Sequence, residues 1–210
     1  QIAGINADQQ GMTVGKQYIL PDGSLTTDAS SGGGGDYKVG TPEVFNSAAT
    51  QSNSSTYDPV ANKVVITYKD DGNSYYGTVV VGTVSGDSIT FGTPEVFNNT
   101  GSAGYSSIYD PASSKVVIAY TGNSSAGTLI AGAVSGNSIT FGAPVVFNIG
   151  NTQNISTTYD SVANKVVITY TDYGNSQYGT AVTYGAEAGE PNVFAGTAIS
   201  STELNIKDTV

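Results

Sequence analysis

The sequence predicts an all-β fold: a propeller-like array of four-stranded antiparallel units, with a small β module formed from the chain ends. Three observations point there. A unit of about fifty residues is written three times, and periods of that size belong to stacked or toroidal repeat architectures. Each copy is rich in β-branched residues and punctuated by Gly, Asn, Asp and Pro, which is strand-and-turn chemistry. No segment keeps an apolar period of 3.6 over ten residues, so helices have no basis.

The elements follow in chain order. Residues 11–28 read as strand, Pro21-Asp22-Gly23 turn, strand. Ser30–Asp36 contains four consecutive glycines and reads as a flexible linker. The repeat opens with Gly40-Thr-Pro-Glu-Val-Phe-Asn46, returns as Gly92-Thr-Pro-Glu-Val-Phe-Asn98, and again as Gly142-Ala-Pro-Val-Val-Phe-Asn148. Phe45, Phe97 and Phe147 are thus 52 and 50 residues apart. The two-residue difference falls in one loop, Asp70–Tyr76 and Asp172–Tyr178 against the shorter Gly122–Ala126. Surface loops tolerate such changes, whereas ladder strands do not.

Within a copy, four short strands are predicted. The first lies near Ser54–Tyr57. The second, Lys63–Tyr68, is a continuous apolar run and reads as central. Its counterparts are Lys115–Tyr120 and Lys165–Tyr170. The third runs from Tyr76 through Val84, and the fourth is Ser88–Phe97. Pro94 breaks the fourth, because proline cannot donate to a ladder and marks an edge or a bulge. Asp58-Pro59-Val-Ala-Asn62 and Ser85-Gly86-Asp87 supply the connecting turns.

Four antiparallel strands in about fifty residues is the size of a propeller blade. Tyr37–Phe45 reads as a fourth strand lacking its own first three, and Ile155–Tyr184 as the first three lacking a fourth. Three arrangements are compatible with this: a toroid completed by the flanks, a ring completed by another subunit, and an open stack or sandwich of units. The predicted domains are residues 1–29, the N-terminal strands of the small module, and residues 37–184, the repeats. Residues 190–210 complete the module or pair with a neighbouring subunit.

Composition narrows function. Net charge is −10, with seven Lys, no Arg and no His, so no basic patch exists to displace counterions from nucleic acid. With neither His nor Cys, imidazole bases, thiol nucleophiles, disulfides and the usual zinc and iron–sulfur ligand sets are excluded. Charged residues make up 11% of the chain, against roughly 25% in ordinary globular proteins. No apolar run approaches the length of a membrane span.

The unit ITFGTPEVFN, YDPVANKVVITY and YGTVVVGTVSG resembles repeats of tail-fibre-like or surface proteins of marine phages and marine bacteria. The flanks GMTVGKQYILPDGSLTT and VFAGTAISSTELNIK are similar to two halves of a short β module of phage fibre and virion proteins, here separated by the repeats. The resemblance implies an extracellular or virion structural role and implies no reaction.

The function expected is a non-enzymatic structural subunit of an extracellular filament or virion appendage, with copies of itself as partners. The alternative is an adhesin recognising surface glycan, for which Tyr57, Tyr109 and Tyr159 are the contact residues, since tyrosine makes rigid amphipathic contacts. Asp70, Asp71 and Asp172 are calcium candidates by their oxygen ligands, without the spacing of a full binding loop. Glu203, Leu204, Asn205, Ile206 and Lys207 form the terminal strand proposed for subunit assembly. No cofactor, nucleic acid or membrane insertion is expected.

Overall fold

The computed structural model describes residues 39–101 and 103–186, with the backbone of four short strands outside them. The chain divides into two compact units, Gln1–Thr41 and Pro42–Val210. The first contains an antiparallel ribbon of β1 (Tyr18–Ile19) and β2 (Leu25–Thr26). The second holds the repeats and a two-stranded ribbon near its end.

Repeat one consists of β3 (Thr50–Asp58), β4 (Lys63–Asp70), β5 (Tyr76–Ser85), β6 (Ser88–Phe91) and β7 (Glu95–Asn98). Repeat two has β8 (Ala103–Asp110), β9 (Lys115–Thr121), β10 (Ala126–Ser135), β11 (Ser138–Phe141) and the first part of β12 (Val145–Asp160). Repeat three takes the rest of β12, then β13 (Lys165–Asp172) and β14 (Tyr178–Tyr184). Beyond it, β15 (Ala198–Ser200) pairs with β16 (Glu203–Leu204).

Each predicted fourth strand is two strands in line. β6 and β7 share one edge of β5, and β11 and the start of β12 share the matching edge of β10. Pro94 and Pro144 stand in the gaps, where no ladder bond is required of them. The repeats are equivalent down to their irregularities. Ser52, Gly104 and Asn154 take positive φ at the same bulge, and Asn62, Ser114 and Asn164 take it at the same turn. Each of those bulges shifts the register between strands one and two of its repeat.

The propeller-like reading is corrected. The repeats form two open antiparallel sheets, one of five strands and one of seven, and neither closes or curls on itself. The physical reason lies in β12. Residues 99–101 lie outside the strands between β7 and β8, but Ile149–Thr152 stays extended, so one 16-residue strand runs from repeat two into repeat three. Its first part pairs with β10 and its second with β13, which fuses two units into a single sheet.

The core lies between repeats. On β9, Val116, Ile118 and Tyr120 point to one side and join Val65, Val79 and Val81 of repeat one. Val117 and Ala119 point to the other side and join Val166 and Ile168 of repeat three. Successive side chains of a strand alternate in direction, so an unbroken apolar run is what a strand buried on both faces requires. We predict that Ile118→Ala lowers unfolding stability by about 2–5 kcal/mol in denaturant titration. Val162→Ala, at an exposed turn, changes it by less than about 0.5 kcal/mol.

Candidate functional site

The contact between consecutive repeats is the most elaborated site on the chain. Ser107 of β8 donates its backbone N–H to Ser54 Oγ of β3 at 2.9 Å, and the two hydroxyls are also 2.9 Å apart. The next contact repeats this atom for atom. Thr157 of β12 donates its N–H to Ser106 Oγ of β8 at 3.0 Å, with the hydroxyl oxygens 2.9 Å apart. The first strands of the three repeats therefore lie side by side, held in one register by directional bonds.

Aromatic plugs mark the same contacts. Phe97 of β7 packs edge-on against Tyr120 of β9, with ring centroids 5.4 Å apart. Phe147 of β12 sits 5.3 Å from Tyr170 of β13, and Phe45 sits 5.1 Å from Tyr68 of β4. Phe97 and Phe147 each need a glycine on the neighbouring strand of their own repeat. A Cβ on Gly77 would come within 2.8 Å of Phe97 Cζ, and one on Gly127 within 2.4 Å of Phe147 Cε2. At the equivalent Gly179 on β14, no atom of the described residues lies within 4 Å of that position.

Burial sets the tyrosine chemistry. Desolvation, then the nearby Asp70 carboxylate, pushes the Tyr68 hydroxyl up to about 12. Desolvation, then Tyr105, does the same for Tyr120, also to about 12. Tyr170 is raised by burial and by Asp172. The Tyr68 Oη is buried without a hydrogen-bond partner, so this position carries a desolvation cost that packing must offset.

The predicted glycan tyrosines occupy equivalent positions in the first strands but different surroundings. Tyr109 is 8% exposed in the core between repeats one and two, Tyr159 is half-buried between repeats two and three, and Tyr57 is 51% exposed. Tyr57 and Tyr159 donate their hydroxyls to Asn62 and Asn164 across their own turns, at 2.8 and 3.1 Å. Tyr109 and Tyr159 thus belong to two different repeat contacts, while Tyr57 is exposed.

The calcium candidates lie in two separate, equivalent turns. Asp70 Oδ1 accepts from Gly72 N–H and from Asn46 Nδ2, both at 3.0 Å. Asp172 Oδ1 accepts from Gly174 N–H at 3.0 Å, and Asp71 Oδ2 accepts from Gln51 Nε2 at 2.8 Å. Among the described residues no three acidic groups come together as a metal cluster. The repeated Asp58, Asp110 and Asp160 serve turns. Asp160 accepts backbone N–H bonds from Val162 and Ala163, and those bonds lower its carboxyl below the usual range. Of the assembly strand, Glu203–Leu204 pairs with Ala198–Ser200; Asn205, Ile206 and Lys207 lie outside the described residues.

Two polar clefts went unpredicted. One, of about 430 Å³, includes Lys69, Thr100, Thr121 and Asn123 in its lining. The other, of about 460 Å³, is lined by Gly104, Thr121, Asn151 and Gln153 among others. Both open where loops of adjacent repeats meet, beside the loop whose length varies between copies. That variation was the visible signal.

Compared with protein-family models and with curated proteins, the sequence matches none. Among the described residues no helix is long and apolar enough to cross a membrane.

A glycine that seats a ring and one with no neighbour among the described residues should respond differently to the same substitution. Gly127→Val, which drives a side chain into Phe147, lowers unfolding stability by about 1–3 kcal/mol. Gly179→Val, measured at low protein concentration, changes it by less than about 0.5 kcal/mol. Equal losses at the two positions would contradict the socket account.

Proposed function

We propose that the chain is a non-enzymatic structural subunit of an extracellular filament or virion appendage, assembled through β-rich subunit contacts. The observation that carries this reading is the use of repeat two. Both of its faces are spent on contacts with near-identical units, through the same hydroxyl pair and the same aromatic plug. A unit built to pack against copies of itself in one direction is the elementary part of a linear assembly. The small number of charges supports the same role, since fewer solvated ions have to be stripped when surfaces meet. The placement outside the cell or on a virion rests on the resemblance of the repeat phrase.

The test is the state of the purified chain over a wide range of concentration, by light scattering and electron microscopy. Assemblies that grow with concentration are expected. A monodisperse monomer at every concentration, binding glycan through the exposed Tyr57, would contradict the reading and favour the adhesin alternative.

A further inference from the structure

The repeats differ in length and in aromatic content at the loop between their second and third strands. Repeat one carries Asp70-Asp-Gly-Asn-Ser-Tyr-Tyr76, repeat three Asp172-Tyr-Gly-Asn-Ser-Gln-Tyr178, and repeat two the shorter Gly122-Asn-Ser-Ser-Ala126. The long loops present exposed tyrosines, Tyr75 at 52% and Tyr173 at 40%, whereas the short loop has no aromatic residue. Asn-Ser recurs in all three loops, and the residue after it takes positive φ each time: Tyr75 at 62°, Ser125 at 66° and Gln177 at 62°. Glycine adopts that conformation without steric cost, and a bulky side chain does not. Tyr75 therefore holds a strained backbone while most of its ring edge meets water, which serves neither the core nor the turn. Its ring is steadied by Lys69, whose Nζ lies 4.8 Å from the centroid.

The two polar clefts lie along the same loop edge. The first reaches from Lys69 of repeat one to Ser125 of repeat two, and the second from Ser125 to Asn151 and Gln153 at the start of repeat three. Thr121 and Ser125 line both, so the clefts meet on the short loop. Thr121 Oγ1 donates to the Thr152 carbonyl at 2.7 Å, which ties the floor of the second cleft to repeat three. Tyr173 is fixed to the far end, its N–H donating to the Asn151 carbonyl at 2.9 Å. A tyrosine at one end, two polar clefts meeting on a short loop, and a tyrosine at the other end thus follow one another across three repeats.

The lining selects a class of ligand. Asn123, Ser125, Asn151 and Gln153 are exposed, and their amides and hydroxyl both donate and accept. Lys69 is the single charged side chain among the described lining residues. A cation meets no carboxylate in this lining, and an anion meets one lysine on a chain of net charge −10. A wholly apolar ligand would strip water from the amides without replacing their bonds. The remaining match is a neutral molecule with many hydroxyls and with C–H faces that lie flat on an amphipathic ring.

We propose that this loop edge binds a neutral oligosaccharide chain laid across repeat two, with Tyr75 and Tyr173 stacking on sugars at its two ends. The short loop provides the crossing point, and Thr121, Ser125, Asn151 and Gln153 bond the hydroxyls of the sugars between. The site uses loops and no sheet face, so it is independent of the self-assembly proposed above. It is also distinct from Tyr57, which pairs with Val64 at the end of β4 opposite Asp70.

The chain has no Trp, so tyrosine fluorescence reports binding directly and amide NMR locates it. The full-length chain is titrated with disaccharides and hexasaccharides of neutral α-glucan, β-glucan, mannan and galactan. At least one hexasaccharide is expected to bind, at least tenfold more tightly than its disaccharide, because the longer chain reaches both tyrosines. The amides of Thr121, Ser125 and Asn151 should shift with it. Tyr75→Ala and Tyr173→Ala should each weaken binding at least fivefold, with circular dichroism unchanged. Tyr75→Phe should retain binding, since the ring face and not the hydroxyl makes the contact, and Tyr57→Ala should leave it unchanged. Gln153→Ala, on an exposed side chain, gives a second weakening that does not depend on the strained loop. Failure of every hexasaccharide to bind at millimolar concentration overturns the proposal. Binding lost in Tyr57→Ala and kept in the loop variants overturns the site, and tighter binding of a uronic acid hexasaccharide than of any neutral one overturns the ligand class.

Discussion

The structure depends on the burial of β9 on both faces. Val116, Ile118 and Tyr120 fill one side and Val117 and Ala119 the other, and all are at most 3% exposed. A four-stranded sheet of about fifty residues has too little core to stand alone. Each repeat gains its stability by lending a face to its neighbour, as in other repeat arrays. The loop-length difference, the glycine sockets and the exposed tyrosine of repeat one all follow from that arrangement.

Apolar burial alone does not fix how one sheet sits on the next, because it has no direction. Register comes from the polar and aromatic groups at the contact. The serine and threonine clasp fixes the first strands along their length. The phenylalanine plug fixes the position of the fourth strand, since only a glycine on the strand beside it leaves room for the ring. These groups also specify the neighbour: a unit without the glycine or the hydroxyl would leave a clash or an unpaired polar group.

Much of this could be read from residues. Lys63–Tyr68 and its two counterparts announced central strands, and the Asp-Pro and Ser-Gly-Asp turns announced where strands end. Closure was not legible. Whether units curve into a ring depends on the small rotation between neighbours and on whether a connecting segment stays extended. Ile149–Thr152 does so, and Asn99–Gly101, which does not, gives no sequence sign of differing from it. The surroundings of the repeated tyrosines were not legible for a related reason. Tyr57, Tyr109 and Tyr159 are regularly spaced, but in a stack each position meets its own neighbour, so Tyr109 is buried, Tyr159 half-buried and Tyr57 exposed. The glycines before each plug were visible as Gly-Thr repeats. Their purpose needed the ring across the contact.

Hydrogen exchange resolved to single amides, on protein dilute enough to be monomeric, tests the account most directly. β4, β9 and β13 are equivalent strands, each paired on both edges, and they differ in how their faces are covered. If contact between repeats is the source of stability, the amides of β9 exchange most slowly, and those of β13, exposed at Thr169, exchange faster. Equal protection in β9 and β13, or slower exchange in β13, would show that each sheet is stable by itself and would contradict the account.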